Sequence, residues 1–108
     1  MFLVAYDGSP AAIRALQHGA NLAGPGGEVA VINVIPIQSV SAKLQTVSDE
    51  ERVRQTRILR DASTLLRRRG LTMETIKAAG DPAAEILAAA EATAADLIVV
   101  GQGRKRRQ

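Results

Sequence analysis

Short apolar runs alternate with stretches of helical period along this chain, and that alternation restricts the fold more than any other feature. Phe2–Tyr6 is rich in strand formers and stops at Asp7-Gly8-Ser9-Pro10, where Ser9 suits a helix N-cap and Pro10 the first helical position. Ile13, Leu16 and Ala20 then recur at helical spacing until Gly24-Pro25-Gly26-Gly27. Residues 28–35 (EVAVINVI) are apolar on both faces, as a central parallel strand requires, and Pro36 stops them. Ser48 and Glu51 form a capping box ahead of a helix whose inward stripe is Ile58, Leu59, Ala62, Leu65 and Leu66. Arg67, Arg68 and Arg69 complement the negative end of that helix, and Gly70 ends it. Residues 71–78 (LTMETIKA) alternate, which predicts an edge strand with one wet face. Gly80-Asp81-Pro82 repeats the order of turn, cap and proline before a helix over 83–93, with Ile86, Leu87 and Ala90 inward. Leu97–Val100 is a last, wholly apolar strand. Strands alternating with helices predict an α/β fold, a doubly wound parallel sheet with helices on both faces. If the first strand is central, with strands 2 and 3 to one side and strand 4 to the other, the strand order is 3-2-1-4. The connection over 37–47 is polar and has no strong period.

A chain of 108 residues makes one domain, and its 2% aromatic content leaves Ala, Val, Ile and Leu to build the core. The net charge of +3 is carried by Arg104, Lys105, Arg106 and Arg107, and the rest of the chain is close to neutral. This divides it into a domain over 1–103 and a basic tail over 104–108. Scarce aromatics, and cations without a reading motif, disfavour nucleic acid as a partner. The absence of cysteine and the single histidine, His18, disfavour a protein-ligated metal. No apolar run is long enough to span a membrane and no secretory leader opens the sequence, so a cytoplasmic location without a membrane partner is expected. No nucleophile–base set, paired-carboxylate motif or Walker lysine occurs, and no catalytic residue is expected.

In a doubly wound sheet ligands bind beyond the carboxyl ends of the strands, where the winding reverses. Here that point lies between the first and last strands, so the crevice is bordered by Asp7-Gly8-Ser9-Pro10 and Gly101-Gln102-Gly103. Free N–H groups at a helix start favour anions, and a carboxylate such as Asp7 accepts from a ribose hydroxyl or an exocyclic amine. The same residues also make an ordinary strand-to-helix turn.

The stretches FLVAYDGSPAAIRAL, VAVINVI and GDPAAEILAAAEATAADLIVVG resemble the universal stress protein (UspA) family, over residues 1 to about 103. The resemblance implies a parallel sheet of order 3-2-1-4-5, of which this sequence lacks the fifth strand and the last helix. It implies homodimers and, in many members, bound ATP or AMP, with at most slow ATP hydrolysis. In nucleotide-binding members the aspartate after the first strand contacts the nucleotide, and this position is Asp7. A residue at the end of the second strand meets adenine through its backbone, and this is Val34. The family's phosphate loop reads Gly-x-x-Gly, followed later by Gly-Ser or Gly-Thr. Gly101 matches its first glycine, Arg104 stands where the second is expected, Gly103 is displaced by one, and the later pair is missing. The expected function is therefore adenine nucleotide binding, in stress response, through a degraded phosphate loop. Asp7 contacts ribose or base, Val34 meets adenine, Gly8, Ser9, Gly101 and Gly103 line the phosphate end, and Arg104 is an auxiliary cation. The alternative is a protein-interaction or dimerisation module of the same fold, without nucleotide. The apolar strand 97–100 would be an exposed edge, which points to a second chain covering it.

Overall fold

The computed structural model describes residues 1–37 and 47–101. The order of elements is β1 (Phe2–Ala5), α1 (Pro10–Ala23), β2 (Glu28–Pro36), α2 (Asp49–Arg68), β3 (Thr72–Gly80), α3 (Pro82–Thr93) and β4 (Leu97–Val100). All strand pairs are parallel, as the alternation predicts, and the sheet order is β3-β2-β1-β4, the first four strands of the order that the resemblance implies. Residues 38–46 of the polar connection, Gly103, Arg104 and the rest of the basic tail lie outside the described residues.

Each helix begins as its local sequence dictates. The Ser9 hydroxyl accepts the Ala12 N–H at 3.1 Å, and Pro10 follows at the first helical position. Ser48 and Glu51 close the capping box from both sides. Asp81 accepts the Ala84 N–H at 3.0 Å, again with proline next.

The sheet buries a layer on each face. On one, α1 and α2 cover Val4, Val29 and Val31 with Leu16, Leu59 and Leu66. On the other, α3 covers Leu3, Ala30 and Ile32, with Ala89 as its buried residue. β2 is buried along most of its length, because helices cover both its faces. β3 is the edge strand that the alternation of 71–78 predicts, though it spans Thr72–Gly80.

The structure departs from the sequence reading at two places, the face of α3 and the end of β1. Leu87 is 60% exposed rather than inward. The helix PAAEILAAAEAT is apolar almost all round, so periodicity cannot choose its face; Ile86, Ala89 and Ala90 make the contact, and Leu87 is turned away. β4 is the exposed apolar edge that the sequence reading expects: Leu97 is 42% and Val100 48% exposed at the edge of the described sheet. β1 ends at Ala5 rather than Tyr6. Among the described residues no helix is long and apolar enough to cross a membrane.

Candidate functional site

The sheet's carboxyl end brings the loop after β1, the start of α1 and the end of β4 together. Asp7 is exposed, and its Oδ1 accepts the Ser9 N–H at 2.9 Å, closing the turn into α1. Gly8 sits at φ +82°, a left-handed conformation that favours glycine. Gly101 packs directly on the first turn of α1. A Cβ there would stand 2.5 Å from the Ala11 carbonyl oxygen and 2.7 Å from Ala12 Cα. Only glycine lets the end of β4 approach α1 this closely, so the first glycine of the Gly-x-Gly turn has a packing role of its own.

The helix start offers less to an anion than the sequence suggests. Pro10 has no N–H, the Ser9 N–H is held by Asp7, and the Ala12 and Ile13 N–H groups go to the Ser9 hydroxyl and carbonyl. Among the described residues this leaves the Ala11 N–H of the first turn for an outside acceptor, together with the proton of the Ser9 hydroxyl. The Asp7 carboxylate repels phosphate from its own side of the crevice and suits a hydroxyl or amine donor.

Val34 borders the crevice from β2. The ladder between β1 and β2 ends at Ala5 opposite Ile32, with one further bond from the Tyr6 N–H to the Ile32 carbonyl at 2.9 Å. β2 continues to Pro36 paired with β3. Strand residues face alternate neighbours, so Ile32 and Val34 turn their backbone groups to the β1 side. Those of Val34 point past the end of β1, one donor beside one acceptor. The Val34 side chain packs on the other layer, against the cluster that contains Leu3, Ala30 and Ile32.

Beneath this rim lies a buried polar group that the sequence reading missed. Asn33 Nδ2 donates to the Tyr6 carbonyl at 2.8 Å. Gln55 Nε2, from α2, lies 2.8 Å from the Asn33 carbonyl, 3.1 Å from Asn33 Oδ1 and 3.0 Å from the Ala78 carbonyl. Asn33 is 6% and Gln55 5% exposed. Their signal was present: Gln55 precedes Leu59 and Ala62 at the spacing of the buried stripe, and Asn33 interrupts the apolar run 28–35. The phenol of Tyr6 is buried nearby. Burial raises its pKa, and the carboxylates of Asp61 and Asp7 raise it further, so it stays a protonated donor at neutral pH.

The structure thus brings Asp7, Gly8, Ser9, Val34 and Gly101 to one end of the sheet, while Gly103 and Arg104 lie outside the described residues. Shallow depressions on the outer faces of α2, beside Arg52, Thr56 and Arg60, and of α3, beside Ala84, Leu87 and Glu91, include none of them. His18 is exposed on α1. Among the described residues no group of three or more His, Cys, Asp or Glu has a metal-binding arrangement.

The family model of the universal stress protein family matches residues 1–108. Among solved structures, a protein of this family from Burkholderia pseudomallei is 27% identical with a TM-score of 0.76, over 94% of this chain and 80% of that one. UspA from Lactobacillus plantarum is 21% identical with a TM-score of 0.79, over 99% of this chain and 81% of that one. A universal stress protein from Archaeoglobus fulgidus is 24% identical with a TM-score of 0.78, over 97% and 77% of the two chains. The last two likenesses concern the fold. No curated protein matches this sequence.

Proposed function

Since this chain belongs to the universal stress protein family, we propose that it binds an adenine nucleotide, ATP or AMP, in the crevice between the loop after β1 and the end of β4. Nucleotide binding is known for some relatives. The observation that carries the reading here is the open end of the β1–β2 ladder. It leaves the N–H and C=O of Val34 side by side at the crevice, a donor and an acceptor that complement N1 and the N6 amine of adenine. Asp7 takes a ribose hydroxyl. Gly8, Ser9 and Gly101, with Gly103 and Arg104 following in the sequence, border the phosphates, and Arg104 supplies a compensating cation. With so few free N–H groups at the start of α1, phosphate is held weakly, and AMP binds about as well as ATP. The role is binding rather than catalysis, since no described group at the crevice is placed as a base on an attacking water.

Calorimetric titration with AMP and ATP tests this. Asp7→Ala removes both the ribose acceptor and the bond to Ser9; Asp7→Asn keeps the latter and loses the charge. We expect wild-type binding, weakened about tenfold or more by Asp7→Ala. Unchanged affinity in the variant removes Asp7 from the site, and no heat with millimolar nucleotide overturns the reading.

A second reading rests on a separate observation. Leu97 and Val100 are exposed on β4, and Leu87 is exposed on α3 of the adjoining layer. We propose that a second copy of the chain covers strand 97–100, giving a homodimer. A lysine on an edge strand opposes such pairing. Sedimentation velocity at micromolar concentration should show a dimer for the wild type and a monomer for Val100→Lys; a wild-type monomer rejects the proposal.

A further inference from the structure

A buried amide pair at the end of a parallel sheet is not needed for packing, since apolar residues of the same shape would fill the space at less cost. What the Asn33–Gln55 pair changes is where the β1–β2 ladder stops. The next rung would run from the Val34 N–H to the Tyr6 carbonyl and from the Gly8 N–H to the Val34 carbonyl. Among the described residues neither bond forms. The Tyr6 carbonyl receives Asn33 Nδ2 instead, and Gly8, at φ +82°, turns the chain away into α1.

The orientation of both amides follows from their surroundings. Gln55 Nε2 stands among two backbone carbonyls and Asn33 Oδ1. Two of these neighbours can only accept, so the nitrogen of Gln55 must face them. Asn33 then presents its oxygen to Gln55 and its nitrogen to the Tyr6 carbonyl, another obligate acceptor. With α2 anchored in this way to β2 and β3, the Asn33 amide has one satisfactory arrangement.

We propose that Asn33, oriented by Gln55, is a positioning residue. It substitutes for the Val34 N–H on the Tyr6 carbonyl, holds the ladder open past Ile32, and so reserves both backbone groups of Val34 for a ligand edge that accepts and donates side by side. This rests on the reading of the crevice as an adenine site. The order of donor and acceptor also sets selectivity: the N1 lone pair and N6 amine of AMP fit, whereas inosine monophosphate presents a donor at N1 and an oxygen at C6.

The test combines amide hydrogen exchange at Val34 with calorimetry on AMP and inosine monophosphate, for the wild type and Asn33→Leu. In the wild type, Val34 should exchange at least about tenfold faster than Ile32, and AMP should slow it. In Asn33→Leu the Tyr6 carbonyl needs a donor, the Val34 N–H supplies it, and Val34 becomes protected without ligand. AMP affinity then falls about tenfold, and the preference over inosine monophosphate is lost. Unchanged Val34 exchange and AMP affinity in Asn33→Leu overturn the proposal. If that variant does not fold, the wild type decides. The Val34 amide resonance must move with AMP and stay still with inorganic phosphate, and a Val34 resonance unmoved by AMP rejects the positioning role. If the wild type binds no nucleotide, the adenine reading fails. Val34 exchange in Asn33→Leu still judges the ladder: protection upholds the opened rung, and no change rejects it.

Discussion

Replacing Gly101 with alanine should lower the stability of this domain by about 3 kcal/mol, the upper end of the usual cost of overpacking. The added methyl would stand 2.5 Å from the Ala11 carbonyl oxygen and 2.7 Å from the Ala11 carbonyl carbon. Real Cβ atoms do not come so close to backbone, and no side chain is there to rotate away. Either β4 must slide outward or the first turn of α1 must lift. Both motions break contacts, since β4 pairs with β1 from Phe2 opposite Leu97 to Ala5 opposite Val100. For a domain of this size the change corresponds to a fall in Tm of roughly 10 °C or more, readable by thermal or urea unfolding. The same substitution separates two roles of this glycine. A purely phosphate-contacting glycine would leave Tm unchanged and weaken only nucleotide binding. A Tm within a degree or two of wild type would therefore show that β4 does not rest on α1 as described.

Gln55→Glu should be as damaging, and its cost should depend on pH. The Gln55 nitrogen is surrounded by oxygens of Asn33 and Ala78 at 2.8 to 3.1 Å, in a site only 5% exposed. A carboxylate there faces acceptors with no proton to give. Its neutral form is favoured in the folded state, so its folded pKa lies above the unfolded value of about 4.3. The folded protein then holds a proton that the unfolded chain has lost, and stability falls as pH rises above that unfolded value. The variant should be about 3 kcal/mol less stable at pH 7 than at pH 4, relative to wild type. Gln55→Leu is the control: it loses the hydrogen bonds, costs about 2 kcal/mol, and shows no such pH dependence. Urea unfolding at the two pH values reads this directly. A Gln55→Glu penalty that is flat with pH would mean that the new carboxylate escapes to water, and that α2 is not pinned to the strand ends.

Much of this protein was legible before its structure. Ser9, Ser48 and Asp81 announce three helix starts because capping is a contact over three residues, and such contacts are written locally. That the strands lie parallel with helices on both faces followed from alternation and from the handedness of crossovers, whereas their order came from the family resemblance. The site was legible only in outline. Asp7, Gly8 and Ser9 could be placed at the crevice because they follow a strand. Val34 could be placed through the family resemblance, but nothing in the run 28–35 says that its ladder to β1 stops at Ile32.

Periodicity and caps thus decide which residues form strands and helices, since both act over a few residues of chain. Contacts between distant residues decide the rest. That Gly101 meets Ala11, that Leu87 faces outward while Ala89 is buried, and that Gln55 reaches across to Asn33 and Ala78 are outcomes of packing. A buried amide must find its partners wherever the fold puts them. In this chain those partners are the carbonyls of Tyr6, Asn33 and Ala78, toward the carboxyl ends of adjacent strands, and that pairing, invisible in any local pattern, shapes the rim of the crevice.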